Sequence, residues 1–328
     1  MNSAEAHNTA LIRAADGSAD RCLTWRGGLR FFAEASTVKA VEVAEEDPAL
    51  LKQGFPADQQ AMYQRTVALL ETPARANQPP GAYAVDIFRL QGGTTHDYYI
   101  HSLGDAFSLT GAELRPVADP KLSLYEVSGF AHKTAAGTHV ITGISRTKTD
   151  DAFTAAWRDL KDWRTLPPAV DREAVVQVRM LGVPGTEVFV GTAPGQRYID
   201  ARDVAQRAIV MCVRRSADAF RDAPDAFVAV IDAGRQQGGT VKQIGRLMVS
   251  SGDSAALGVR IEHRDGVDYV LSATQDDVET TFREPGTGQK IVLTGRLGVV
   301  RVVPERPAAL VLLRGTHLTG DVETPGRR

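Results

Sequence analysis

The chain has seven histidines among its 328 residues, and in one stretch two of them flank a carboxylate: His96-Asp97-Tyr98-Tyr99-Ile100-His101. On a strand, successive side chains alternate faces, so Asp97, Tyr99 and His101 share one face while His96, Tyr98 and Ile100 share the other. Asp97 and His101 would then stand about 13 Å apart at ~3.3 Å per residue, too far to hold one metal ion together. The spacing therefore predicts a buried polar network, with His96 and Tyr98, or Asp97 and Tyr99, satisfying neighbouring strands. Asp86 lies in an apolar run between Val85 and Ile87. A charge there is costly unless paired, and Arg65 or Arg89 is the expected partner.

Other chemistry-bearing residues are less organised. His132, His139, His263 and His317 are scattered without ligand spacing, and Ser102 and Ser108 lack the sharp strand-to-helix turn of a nucleophilic serine. The Gly-rich stretches 234–239 and 286–288 do not match a phosphate loop, since neither sits between a strand and a helix with the required Lys. Trp25, Trp157 and Trp163 are large enough to stack on sugar rings, although core packing is expected for Trp157.

The elements that must position these residues read as strands almost throughout. Tyr63–Leu70, Ala82–Leu90 and His96–His101 are runs of β-branched, aromatic and apolar residues, the first two joined by the Pro-rich stretch 73–80 and the last two by Gly92-Gly93. Two glycines permit the positive φ of a tight turn, and a three-stranded meander is expected. Further strands are expected at His7–Ile12, Leu29–Ala35, Thr37–Glu42, Phe107–Leu114, Leu122–Phe130, His139–Ser145 and Phe153–Arg158. A hairpin is expected about Pro184-Gly185, and another about Arg264-Asp265-Gly266. Strands every ten residues or so, with no long amphipathic helix, predict an all-β fold, an antiparallel β-sandwich. The stretch 159–171, with Pro167-Pro168, is the expected boundary between a first part (1–160) and a second (161–320), with 321–328 a frayed tail.

The meander resembles the C-terminal β-sheet domain of the heparinase II/III-like polysaccharide lyases, which carries a similar strand pair, a Gly-Gly turn and a His-Asp-Tyr before a further His. Ala6-His7-Asn8-Thr9 resembles that family's His-Asn-Thr segment, and the two matches fall in the right order. The resemblance implies a supersandwich fold and the cleavage of a uronic-acid polysaccharide, such as a glycosaminoglycan or alginate, by β-elimination. It also implies that His7 is a zinc ligand in the intact protein, with the remaining ligands upstream of Met1. Catalytic residues are expected on an N-terminal α/α toroid, so none is assigned in this chain, which reads as a C-terminal part with little activity alone. Substrate-binding residues stay unassigned. The alternative is a non-catalytic carbohydrate-binding β-sandwich, and for His7 the alternative is a strand histidine bonded to a neighbour.

Composition narrows the partners. Lys and Arg total 38 against 40 for Asp and Glu, a net charge of −2, so no global basic field gathers nucleic acid. Positive charge for an acidic polysaccharide must be local. The two cysteines, Cys22 and Cys212, exclude a disulfide framework; they read as two buried free thiols, with a single bridge the alternative in an exported protein. No apolar run approaches the roughly 20 residues of a membrane span, and Met1–Asn8 lacks the pattern of a signal peptide. The resemblance implies a periplasmic or extracellular setting.

Overall fold

The computed structural model describes residues 8–15, 17, 27–45, 61–72, 81–102, 104–130, 141–160, 174–194, 207–220, 223–235 and 239–322. His7, Cys22, Trp25, His132, His139 and Trp163 lie outside the described residues. In chain order the first strands are β1 (Thr9–Arg13), β2 (Gly28–Glu34), β3 (Val38–Ala44), β4 (Met62–Thr72), β5 (Gly81–Gln91), β6 (Thr95–Ser102), β7 (Gly104–Thr110) and β8 (Arg115–Pro116). After one helical turn, α1 (Leu124–Val127), come β9 (Thr142–Thr149), β10 (Phe153–Leu160), β11 (Ala174–Met180), β12 (Thr186–Pro194), β13 (Arg207–Ser216) and β14 (Asp225–Arg235). The last six are β15 (Val241–Ser251), β16 (Leu257–His263), β17 (Gly266–Ser272), β18 (Glu279–Arg283), β19 (Lys290–Val302) and β20 (Ala309–Asp321).

These strands build three antiparallel sheets. One has the order β1-β6-β13-β12-β9-β8, and a central one runs β2-β3-β4-β5-β14-β11-β10-β7. The third has the order β17-β16-β15-β18-β19-β20, and β17 also pairs with β19, closing five strands into a small barrel. The fold is all-β and sandwich-like, as expected. The pairs β5–β14, β6–β13 and β10–β11 draw the first two sheets from both sides of residue 160, whereas the strands from Val241 onward pair only with one another.

Around β5 and β14 the central sheet is buried on both faces, and its sequence alternates between two cores. In β5, Phe88 and Leu90 share a core with Tyr98 and Ile100 of the first sheet and with Trp157 of their own sheet, while Tyr83, Val85 and Ile87 face Val259, Ile261 and Val299 of the barrel. A strand clothed on both faces needs a nearly continuous apolar run, which is how β5 reads. A third cluster, with Leu11, Tyr99, Phe189 and Cys212, lies on the outer face of the first sheet beneath α1. Trp157 is core, its indole N–H donating to the Ile209 carbonyl at 3.0 Å.

Two kinds of expectation are corrected, the hairpins at two turns and one strand. The Gly92-Gly93 turn (φ 98° and 69°) does not close a hairpin: β5 belongs to the central sheet and β6 to the first, so the chain arches from one layer to the other. The Pro184-Gly185 turn likewise carries the chain from β11 in the central sheet to β12 in the first. Gly-Gly between two apolar runs suits a hairpin or an arch equally. Here the arch sets the Phe88 and Tyr98 rings face to edge across the core, 5.9 Å between centroids. The second correction is Leu122–Phe130, which holds α1 rather than a strand. Its local signal is a capping box, in which Ser123 N donates to Glu126 Oε2 at 2.7 Å and Glu126 N to Ser123 Oγ at 3.4 Å. The Arg264-Asp265 turn does close a hairpin, pairing His263 with Gly266.

Candidate functional site

The two stretches that carry the family resemblance become neighbours. β1 pairs with β6 in the register Thr9 to Tyr99 and Ile12 to His96, and the Asn8 side chain accepts a hydrogen bond from the His101 backbone N–H at 2.9 Å. Tyr63 of β4 reaches across from the central sheet, donating its hydroxyl proton to the Ala10 carbonyl at 2.8 Å, with Thr9 Oγ1 at 3.2 Å. Beside it, Arg65 grips Asp86 with two bonds of 2.9 Å, and Tyr98 donates to the same carboxylate at 3.1 Å. Asp86 therefore takes Arg65 as its partner. Arg89 turns to the barrel instead, where it donates to the Ala255 and Ser272 carbonyls.

The electrostatics of this corner assign its groups to structure. Burial and the adjacent Asp86 push the Tyr98 phenol well above its ordinary pKa, so it stays neutral. Burial works against the Arg65 charge, but the hydrogen bond and charge of Asp86 outweigh it, and the guanidinium is held more firmly protonated. The ring of Phe88 lies 4.6 Å from that guanidinium.

His96 faces away from Asp97 as alternation requires, and His101, on the Asp97 face, stands four residues farther along β6. Asp97 is buried and takes Arg13 Nε at 2.5 Å, Arg214 Nε at 2.6 Å, Arg214 Nη2 at 2.8 Å and the Tyr99 hydroxyl at 3.1 Å. Burial alone would raise its pKa, yet the two guanidiniums of Arg214 and Arg13 hold the carboxyl far below the usual range. His96 points to the opposite face, with Nδ1 3.2 Å from Asp225 and Nε2 2.8 Å from the Gly92 carbonyl. Arg215 completes that group, donating to Asp225 at 2.7 Å. Both are the buried networks that the spacing predicts. Asp97 is fixed as a permanent anion between two cations, which disqualifies it as a base.

An open shelf begins at the Arg65 corner. On the same face of the central sheet, one cross-strand row runs Leu29, Val43, Arg65, Phe88 and the next runs Phe32, Val41, Val67, Asp86. The first sheet covers these rows only at the β5 end, since β1 is its edge strand. Beyond it Phe32 and Leu29 are exposed, by 64% and 67%, and Val43 and Leu69 lie bare between them and β5. From Leu29 to Arg65 is two strand spacings, roughly 10 Å. The shelf is a flat apolar floor with a charged pair at its inner end.

Sequence reasoning missed the cationic halves of these networks and a second group at the barrel seam. There Asp268 is gripped by Arg301 through two bonds of 2.8 Å and also accepts from the Tyr83 hydroxyl, with His263 Nε2 at 3.5 Å. Glu42 pairs with Arg296 and accepts from Thr66 Oγ1 at 2.8 Å. The signal was present: Arg13 follows Ala-Leu-Ile, and Arg296 and Arg301 interrupt the apolar run of β19. A long charged residue at an inward position of a buried strand calls for a partner.

Neither the family models nor the curated proteins searched give a match to this chain. Among the described residues no three of His, Cys, Asp and Glu converge to hold a metal ion. His7 lies outside them, so no step below runs through zinc. No described helix is long and apolar enough to cross a membrane.

Proposed function

We propose that this chain is the β-sheet module of a heparinase II/III-like polysaccharide lyase, binding a uronic-acid-containing polysaccharide that is cleaved by β-elimination. The observation that carries the reading is the meeting of the two resembling segments. Asn8-Thr9 and His96–His101, far apart in sequence, are adjacent strands whose contact is made by the Asn8 side chain and the His101 backbone. Motifs that belong to one functional unit are expected to share one place.

β-Elimination must neutralise the uronate carboxylate, remove the proton beside it and protonate the leaving oxygen. The described residues suit binding better than proton transfer, because Tyr98 is held neutral and Asp97 is held anionic by its two arginines. The floor of Phe32 and Leu29 offers apolar surface to the C–H face of a sugar ring, and polar groups stand at its inner end. A non-catalytic carbohydrate-binding module would use the same shelf, and the exposed ring of Phe32 favours that second reading equally.

Affinity electrophoresis of the chain through gels containing alginate, a glycosaminoglycan or a neutral glucan tests the proposal. Retardation by the uronate polymers, lost in Phe32→Ser/Leu29→Ser, is the expected result. Release of unsaturated uronate, followed by its ultraviolet absorbance, separates a lyase from a binding module. Unchanged mobility in every gel overturns both readings.

A further inference from the structure

Arg89 differs from the other buried arginines. Arg13 and Arg214 share Asp97, Arg215 holds Asp225, Arg296 holds Glu42 and Arg301 holds Asp268. Arg89 is 0% exposed, yet its hydrogen bonds go to neutral acceptors alone: Nε to the Ala255 carbonyl, and Nη2 to the Ser272 carbonyl and Oγ, each at 3.0 Å. Among the described residues its Nη1 has no acceptor. Directly opposite on β4 stands Gln64, 4% exposed, whose Nε2 has no acceptor either. Both side chains are on the barrel-facing side of the central sheet, the side of Thr66 and Ile87 in the next register positions.

The charged groups around this spot are already committed. Glu42 and Asp253 are the carboxylates whose fields reach Arg89, and the Arg296 cation opposes them. Glu42 spends one oxygen on Arg296 and the other on Thr66. Asp253 spends its oxygens on the Ala255 N–H at 2.9 Å and on Thr274, whose N–H and hydroxyl lie at 2.5 and 2.8 Å. Burial lowers the Arg89 pKa to about 10, more than the fields of Glu42 and Asp253 restore. Two buried donors on facing residues, without an acceptor between them, describe the donor half of an acceptor site.

We propose that Arg89 Nη1 and Gln64 Nε2 bind a small monovalent anion of chloride size at the seam between the central sheet and the barrel. The anion supplies the missing acceptor. Because the remaining Arg89 bonds end on the β15–β16 connection and the end of β17, its occupancy fastens the barrel to the sheet.

Two measurements on the full chain test this. Crystals soaked in sodium bromide should show an anomalous peak within hydrogen-bond reach of both nitrogens. Thermal unfolding in sodium chloride, against sodium gluconate at equal ionic strength, should give a Tm higher by about 2 °C or more. Arg89→Met removes three further bonds, so Gln64→Leu carries the mutational arm, and it should erase the chloride dependence while remaining folded. An ordered water without anomalous signal, bromide at surface positions as an adventitious ion only, or a Tm indifferent to the anion overturns the proposal.

Discussion

Replacing Asp97 by Asn tests whether the buried charge networks hold this fold together. The side chain keeps its shape but loses its charge, and an amide N–H₂ is turned towards guanidinium donors. Asp97 accepts from both Arg13 and Arg214, at 2.5 to 2.8 Å. Breaking one buried pair costs about 3–5 kcal/mol, mainly because the surviving charge is left uncompensated. Here two cations lose one anion, so the upper end applies, about 5 kcal/mol. In a chain of this size that corresponds to a fall in Tm of roughly 10 °C, together with a lower urea midpoint. The triple variant Arg13→Met/Asp97→Leu/Arg214→Met removes charges and desolvation cost together, and should recover more than half of the loss. A loss below about 1 kcal/mol in Asp97→Asn refutes the reasoning. So does a triple variant less stable than the single one, since the penalty would then lie in packing rather than in charge.

Acid should weaken the barrel seam. Burial tends to raise the Asp268 pKa, but Arg301 and His263 bring it down to about 2. A depressed carboxyl stabilises the fold above its unfolded value near 4 and loses that contribution as pH falls from about 4 to about 2. Between pH 5 and pH 2 the native chain should therefore lose about 2 kcal/mol more than Asp268→Asn, read from urea midpoints. Gly185→Ala should cost about 1 kcal/mol from backbone strain alone, because φ is +75° and nothing crowds the new Cβ. A larger loss by urea titration would show that the arch between β11 and β12 is tighter than this geometry. Ser123→Ala should cost about 1 kcal/mol through the lost cap on α1, measured the same way. Phe32→Ser should change stability by less than about 0.5 kcal/mol, since the ring is mostly solvent-exposed, while weakening retardation by uronate polymers.

The all-β class and most strand positions were legible because a buried strand must be written in β-branched and aromatic residues at period two. Which sheet each strand joins was not. Period-two patterning states that a residue faces a core, but not which core, and β5 faces two. Gly92-Gly93 and Pro184-Gly185 announce a reversal of the chain in either topology, and the choice between hairpin and arch is made by distant strands such as β13 and β14. The Asp86 pair was readable to within two candidates, because a lone carboxylate in an apolar strand needs a cation nearby. The separation of Asp97 from His101 followed from the rise per residue along a strand. Arg13, Arg214 and Arg215 escaped because their partners come from strands over 80 residues distant or from the facing layer.

The charged pairs also answer a question that apolar patterning leaves open. A strand such as β6, buried on both faces, gains nearly as much hydrophobic burial in a register shifted by two residues as in the native one. Asp97 removes that freedom. In the native register it stands directly opposite Arg214 on β13 and beside Arg13 on β1, while Lys148 and Glu187 extend the same row to the sheet edge, 3.0 Å apart. A two-residue slip of β6 along β13 would place Asp97 opposite Cys212 and leave Arg214 facing Thr95, with all three charges still buried. At several kcal/mol for each stranded charge, the slipped register is excluded by more than apolar packing distinguishes. The same argument holds for Asp268 with Arg301 on β17 and β19, and for Glu42 with Arg296 across the seam. In a molecule whose chain repeatedly leaves one sheet for another, buried ion pairs single out the one pairing in which every strand is in place.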